Sequence, residues 1–110
     1  MATLTTHRLV RALELIAQEV SGEVQVTTLL TLLFVAERGN CTQKDVEEGL
    51  KLTNATTSRN VSYWTDRRYD RAEGMNFIDR VPDDHDRRIR NLSLTPRGKL
   101  FHKRLLETNQ

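Results

Sequence analysis

The stretch "DRVPDDHDRRIRNLSLTPRG", residues 79–98, decides how the chain is read. Pro82, Asp83, Asp84, His85 and Asp86 form a turn, and Arg87, Arg88 and Arg90 follow it closely. "NFIDRV" (76–81) before the turn has strand composition. "RRIRNLSL" (87–94) after it puts Leu92 and Leu94 on one side, because side chains alternate faces along a strand. Thr95-Pro96 then opens a helix, with threonine as cap and proline at the first position, where its missing N–H costs nothing. That helix carries Leu100, Phe101, Leu105 and Leu106.

Upstream of the hairpin the chain reads as four helices. "TTHRLVRALELIAQEVSG" (5–22) is amphipathic: Thr5 or Thr6 caps it, Leu9, Leu13, Ile16 and Val20 recur on one face, and Ser21-Gly22 closes it. Glu23 to Arg38 is apolar nearly all round, which predicts a central buried helix ending at Gly39. "CTQKDVEEGL" (41–50) predicts a short helix with Thr42 as cap, Asp45 reaching back to it, and Val46 and Leu50 facing inward. Cys41 just before it is placed to bridge to the hairpin. "LTNATTSRNVSYWTDRR" (52–68) predicts a helix capped by Thr53 or Asn54. Its inner face is Thr57, Val61 and Trp64, and its outer, polar face is assigned Thr56, Arg59, Asn60 and Tyr63. "YDRAEGM" (69–75) is a connection.

The predicted fold class is therefore mainly α with a small β-hairpin wing, a winged helix-turn-helix, and residues 1–110 form a single domain. The ordered pieces carry a resemblance. "TQKDVEEGLKLTNATTSRNVSYW" followed by "GMNFIDRVPDDHDRRIRNLSLTPRG" resembles the MarR family of bacterial transcriptional regulators. Ser58-Arg59, Gly74-Met75, Asp86-Arg87-Arg88 and Leu94-Thr95-Pro96-Arg97-Gly98 stand where that family has its recognition helix, its Gly-aliphatic strand, its wing and the start of its next helix. The likeness runs from Thr27 to Leu106 and is greatest to the short versions carried by bacteriophages. Two departures stand out. "TDRRYDRAE" (65–73) replaces a usual link of two or three residues, so either the recognition helix runs on or an arginine-bearing loop precedes the wing. Longer members also have two helices after the wing where this sequence shows one.

The resemblance implies double-stranded DNA as partner, with Arg88 entering a minor groove from the wing. The chemistry of the residues agrees with that role. Asp86 can hold the planar guanidinium of Arg88 and aim it past the turn, and an arginine suits the negative potential of a narrow minor groove. Asp83 and Asp84 would repel phosphates and are expected to cap the turn instead. On the helix, Arg59 suits a guanine edge or a phosphate, Asn60 an adenine, Thr56 a phosphate or thymine methyl, and Tyr63 a phosphate. Each of these also fits an ordinary solvated surface, and most surface ion pairs contribute little. The first helix (1–22) and last helix (95–110) are expected to form a homodimer, since Leu9, Leu13 and Ile16 with Phe101 and Leu105 exceed what so small a core needs.

Charge distribution leans the same way. Residues 1–53 hold 5 Lys/Arg against 7 Asp/Glu, whereas residues 54–110 hold 12 against 8. A basic half favours an anionic partner. No apolar run approaches the ~18 residues of a membrane span and no signal-peptide pattern opens the chain, so the expected location is the cytoplasm. A lone cysteine fits that reducing compartment, and Cys41 is read as a small buried hydrophobe. His7, His85 and His102 lack metal-ligand spacing. Neither a phosphate loop nor a nucleophile–base pattern is present, so the reading is a non-enzyme without cofactor, and nothing in the sequence supports a small-molecule effector. Two other readings use the same basic face: a winged helix docking on an acidic protein, and DNA binding without sequence preference.

Overall fold

Thr5, Thr42, Thr53 and Thr95 each stand one residue before a helix and accept a backbone N–H from its first turn. Such caps satisfy donors that a helix cannot pair internally. They start α1 (Thr6–Glu19), α3 (Gln43–Leu50), α4 (Asn54–Trp64) and α5 (Pro96–Glu107). The computed structural model describes residues 3–68 and 72–108 of the chain. At Thr42 the cap is reciprocal, with Asp45 N donating to Thr42 Oγ1 and Thr42 N to Asp45 Oδ2. The remaining helix, α2 (Val26–Arg38), begins later than the apolar run suggests. Glu23 N donates to the Ser21 hydroxyl in a turn, and Gln25 is still extended. Gly39 ends α2 at φ 81°, a left-handed backbone that glycine adopts without strain.

The sheet has the order β1-β3-β2 and is antiparallel throughout, with β1 at Asn40–Thr42, β2 at Ile78–Pro82 and β3 at Arg90–Leu94. Cys41 thus belongs to a three-residue strand, paired with Leu92, rather than to a single bridge. Burial, then the charge of Asp45, pushes its thiol pKa up, so it stays protonated. The wing is shorter in strand and longer in loop than its composition suggests, because pairing stops at Pro82 and Arg90.

α3 and α4 are joined by Lys51, Leu52 and Thr53, with Lys51 in the left-handed region at φ 56°. Leu52 N donates to Glu47 O, which closes the turn. Together with the hairpin this is a winged helix-turn-helix, the predicted class. α4 ends at Trp64, and the connection after it folds back on itself. Thr65 Oγ1 donates to Ser62 O or Arg67 O, Arg67 bridges to Glu73, and Phe77 N donates to Trp64 O at 2.7 Å. Helix end and strand start are therefore in contact despite the added length. Tyr69, Asp70 and Arg71 of the connection lie outside the described residues.

The core is a column of rings. Trp64 stacks on Phe77 and Phe77 on Phe101, at centroid distances of 5.9 and 4.9 Å. Val35, Val46, Val61, Ile78 and Leu92 close around it. α2 is less buried than its apolarity implies: Thr28 and Thr31 face inward, while Val26 and Leu30 face solvent. α1 buries Ile16 alone among its residues, leaving Leu9, Val10 and Leu13 exposed. Leu100 and Leu106 of α5 are exposed as well, and Arg104 pairs with Glu19 across the two helices. Ile16, Phe101 and Leu105 are core residues of the single chain, so the surplus apolar surface expected of the end helices comes from their neighbours instead.

Gly98 is the tightest contact of α5. A Cβ built there would lie 2.2 Å from the carbonyl oxygen of Phe77, and backbone cannot swing aside as a side-chain tip can. Gly98→Ala should therefore lower stability by about 1–3 kcal/mol, the usual range for overpacking. A thermal melt followed by circular dichroism measures it. An unchanged midpoint would mean that α5 slides freely on the sheet.

Candidate nucleic-acid interface

The wing loop is organised by one carboxylate. Asp83 Oδ2 accepts from His85 N at 2.9 Å and from Asp86 N at 3.1 Å, and its Oδ1 accepts from Asn91 Nδ2 at 3.0 Å. Asp83 N donates to Ile89 O across the loop. Asp84 is exposed and, among the described residues, accepts none of these bonds. Asp86 then grips Arg88 by its fork: Arg88 Nε donates to Asp86 Oδ1 at 3.1 Å and Arg88 Nη2 to Oδ2 at 3.0 Å. The Arg88 side chain is nevertheless 91% exposed. It is held at its base and open at its outer edge, which fixes direction without neutralising reach. Arg87 is exposed on the same loop and Arg90 at the start of β3, and Arg90 Nη1 donates to Arg87 O.

These bonds set the charge states. Hydrogen bonds from Arg88 hold the Asp86 carboxyl below the usual carboxylate range, and Asn91, His85 and Asp86 do the same for Asp83. The partner effect raises the pKa of Arg88. The wing geometry is therefore complete at neutral pH and weakens only as acid protonates the two carboxylates.

On α4 the four expected residues separate. Arg59 is exposed and Thr56 half-buried at the helix start, where its Oγ1 accepts from the Thr53 hydroxyl at 3.0 Å. Asn60 is a correction. It is 5% exposed, its Oδ1 accepting from the Thr28 hydroxyl at 3.0 Å and its Nδ2 donating to Thr31 Oγ1 at 3.5 Å. The phase explains it: Asn60 follows Thr57 by three residues and precedes Trp64 by four, so it shares their face. Tyr63 is a second correction. It is half-buried, edge-on to Trp64 at 4.9 Å, and lines a depression with Ser21, Val24 and Thr28 behind the helix. The exposed residues of α4 are instead Asn54, Ala55 and Arg59, with Ser58 half-buried beside Arg59.

One residue escaped the sequence reading. Arg80 on β2 donates from Nη2 to Ser62 Oγ at 3.0 Å and from Nη1 to Gln43 Oε1 at 3.4 Å, tying the wing to both helices of the helix-turn-helix. Its strand position, two residues beyond the apolar Ile78, was the available signal. Among the described residues no cluster of His, Cys, Asp and Glu could hold a metal, and no helix is long and apolar enough to cross a membrane.

Helix-turn-helix, three-stranded sheet and arginine-tipped loop define the chain as a winged-helix domain. The particular version of that fold is the one seen in MarR transcriptional regulators. Rv1404 from Mycobacterium tuberculosis has a TM-score of 0.72 and 20% identity, over 93% of this chain and 64% of that one. A MarR transcriptional regulator from Methanosarcina mazei Go1 has a TM-score of 0.69 and 18% identity, over 90% of this chain and 63% of its own. A MarR variant from E. coli, complexed with operator DNA, has a TM-score of 0.65 and 13% identity, over 92% and 67% respectively. This chain thus spans under two thirds of the length of the first two. No protein-family model and no curated protein matches it.

Two outcomes follow from this geometry. Asn60→Ala should cost about 1–3 kcal/mol of stability, because it strands the buried Thr28 hydroxyl and removes a donor from Thr31, whose own hydroxyl still donates to Thr27 O, and a denaturant titration reads it. Because the pKa values of Asp83 and Asp86 are depressed, the wing contacts should persist above about pH 4, the unfolded carboxylate value, and fade as pH falls through their folded values. The Arg88 Nε–H resonance, followed by NMR against pH, reports the loss. An unchanged resonance under acid would mean that Asp86 does not hold Arg88 in solution.

Proposed function

We propose that the protein is a homodimeric transcriptional regulator that binds a palindromic operator in double-stranded DNA. It acts in the cytoplasm, without cofactor or catalysis. α4 would enter a major groove through Ser58 and Arg59, with Thr56 at its start, and the wing would enter the neighbouring minor groove through Arg88, flanked by Arg87 and Arg90. The observation that carries this reading is the forked Asp86–Arg88 pair, whose guanidinium is aimed outward yet almost fully exposed. An exposed ion pair contributes little stability of its own, so the effect of the fork here is to fix the direction of the guanidinium. The E. coli MarR variant solved with operator DNA shares the fold and supports the reading.

The dimer rests on Leu9, Val10 and Leu13 of α1 with Leu100 and Leu106 of α5, all exposed in the single chain. A two-fold axis through such a patch would pair the two recognition helices and so match an operator palindrome.

A second reading draws on one observation. With Asn60 withdrawn into the core, the helix surface that could read bases shrinks to small residues and Arg59. Sequence-neutral binding through phosphates would then dominate.

Titrations of operator and scrambled duplex at one fixed salt decide between them, with genomic fragments flanking the protein's own gene as the operator source. Arg59→Ala should lose operator binding by roughly 5- to 150-fold, the equivalent of a ~1–3 kcal/mol base contact, with less loss on scrambled DNA. Equal losses on both would favour the sequence-neutral reading, and no binding by the wild type to either would leave a protein partner for this face. Arg88→Ala should weaken both. In equilibrium sedimentation the wild type should run near twice 12.7 kDa. Leu13→Glu, at a position exposed in the single chain, should give a folded monomer, and a wild type that is already monomeric would remove the palindrome.

A further inference from the structure

Sheet register places Ile78, Arg80 and Pro82 of β2 on one face, opposite Leu94, Leu92 and Arg90 of β3. That face begins as core and turns basic on its way to the wing tip. Arg80 is half-buried at the change, held by the uncharged oxygens of Ser62 and Gln43. Among the described residues it has no carboxylate within ion-pair distance. Burial, and then the charge of Arg90, push its pKa down, as expected of a half-buried cation to which the described residues offer no ion-pair partner.

Arg80 lines one open depression, and Gln43, to which it donates, lines a second. One, of about 620 Å³, lies against α4 and includes Ser58, Ser62 and Asp79. The other, of about 320 Å³, lies under the wing and includes Gln43, Lys44, Asn54 and Arg90. The first holds Arg67, Arg68 and Arg80 against Asp66 and Asp79, and the second holds Lys44 and Arg90 against Glu47, besides the Arg88 that Asp86 engages. An anionic ligand fits that balance. A guanidinium carries five N–H donors, of which these two bonds use two, so further donors remain.

We propose that Arg80 binds a phosphate of the DNA strand that runs between the groove read by α4 and the groove entered by the wing, with Ser62 and Gln43 fixing its orientation. In any duplex a sugar–phosphate strand separates a major groove from the adjacent minor groove. A protein with one element in each groove must let that strand pass between them, and Arg80 occupies that place. The inference rests on the DNA-binding reading above and adds to it a backbone contact that carries no sequence preference.

The test uses fluorescence anisotropy of a labelled random-sequence duplex about three helical turns long, titrated over a series of salt concentrations. Arg80→Gln keeps an amide donor for Ser62 but removes the charge, and should flatten the log–log salt dependence by about 0.9, the contribution of one phosphate. Arg80→Lys should keep the wild-type slope. An Arg80→Gln slope equal to wild type would overturn the proposal, whereas a wild type that binds no duplex would remove the DNA reading itself. If Arg80→Gln does not fold, phenylglyoxal labelling of the wild type read by mass spectrometry takes its place. Arg80 should then be modified in the free protein and protected by the duplex, and equal modification with and without DNA would overturn the assignment.

Discussion

The placement of α4 depends on Trp64. Its indole Nε1 donates to the Thr28 carbonyl at 2.7 Å, and its ring stacks on Phe77, which stacks in turn on Phe101. One side chain thereby fixes the end of α4 against α2, the entry to the wing and the last helix. A buried indole N–H must find an acceptor, and the carbonyl it finds lies one turn into α2. The connection after Trp64 follows from the same constraint. Phe77 must return to the indole, and on the way Arg67 and Glu73 form an antiparallel bridge while Asn76 N donates to Thr65 O.

Polar groups tune the α2–α4 contact that Trp64 anchors. Thr28, Thr31 and Asn60 sit in the interior and satisfy one another, an arrangement that sets the rotation of α4 more narrowly than apolar packing would. Rotation decides which side chains α4 presents to solvent. Ser58 and Arg59 are turned outward because Asn60 is turned in. The inward threonines also leave Val26 and Leu30 of α2 exposed. The radius of gyration, 14.1 Å, exceeds the ~13 Å usual for this length, in keeping with an α1 that lies against the body chiefly through Ile16.

The wing works by a different physics, in which burial plays almost no part. Asp83 collects three donors and shapes the loop, and Asp86 uses that shape to aim Arg88. The three aspartates of the turn are not equivalent: one builds, one aims, and Asp84 is solvent-exposed. The opposed charge of this hairpin is thereby spent on geometry close to the backbone, while the arginine ends project. Arg80 extends the basic line inward from the tip to the helix-turn-helix.

Much of this was legible in the sequence because it depends on neighbours along the chain. Threonine caps, the Thr42–Asp45 box, the Thr95-Pro96 helix start and the Asp86–Arg88 pair all act within five residues, so spacing alone determines them. The inner stripe Thr57, Val61 and Trp64 follows from helical period. Asn60 was assigned to the wrong face because its polarity outweighed its phase, and only the presence of Thr28 and Thr31 across the interface makes a buried amide affordable. The packing of half-buried Tyr63 beside the α1–α2 connection, the exposure of Leu9 and Leu13 beside a buried Ile16, and the junction role of Arg80 were decided by contacts between elements distant in sequence. Local chemistry determined where each helix and strand begins; which way each one faces was settled by tertiary packing, because the partner that satisfies a side chain is supplied by another part of the fold.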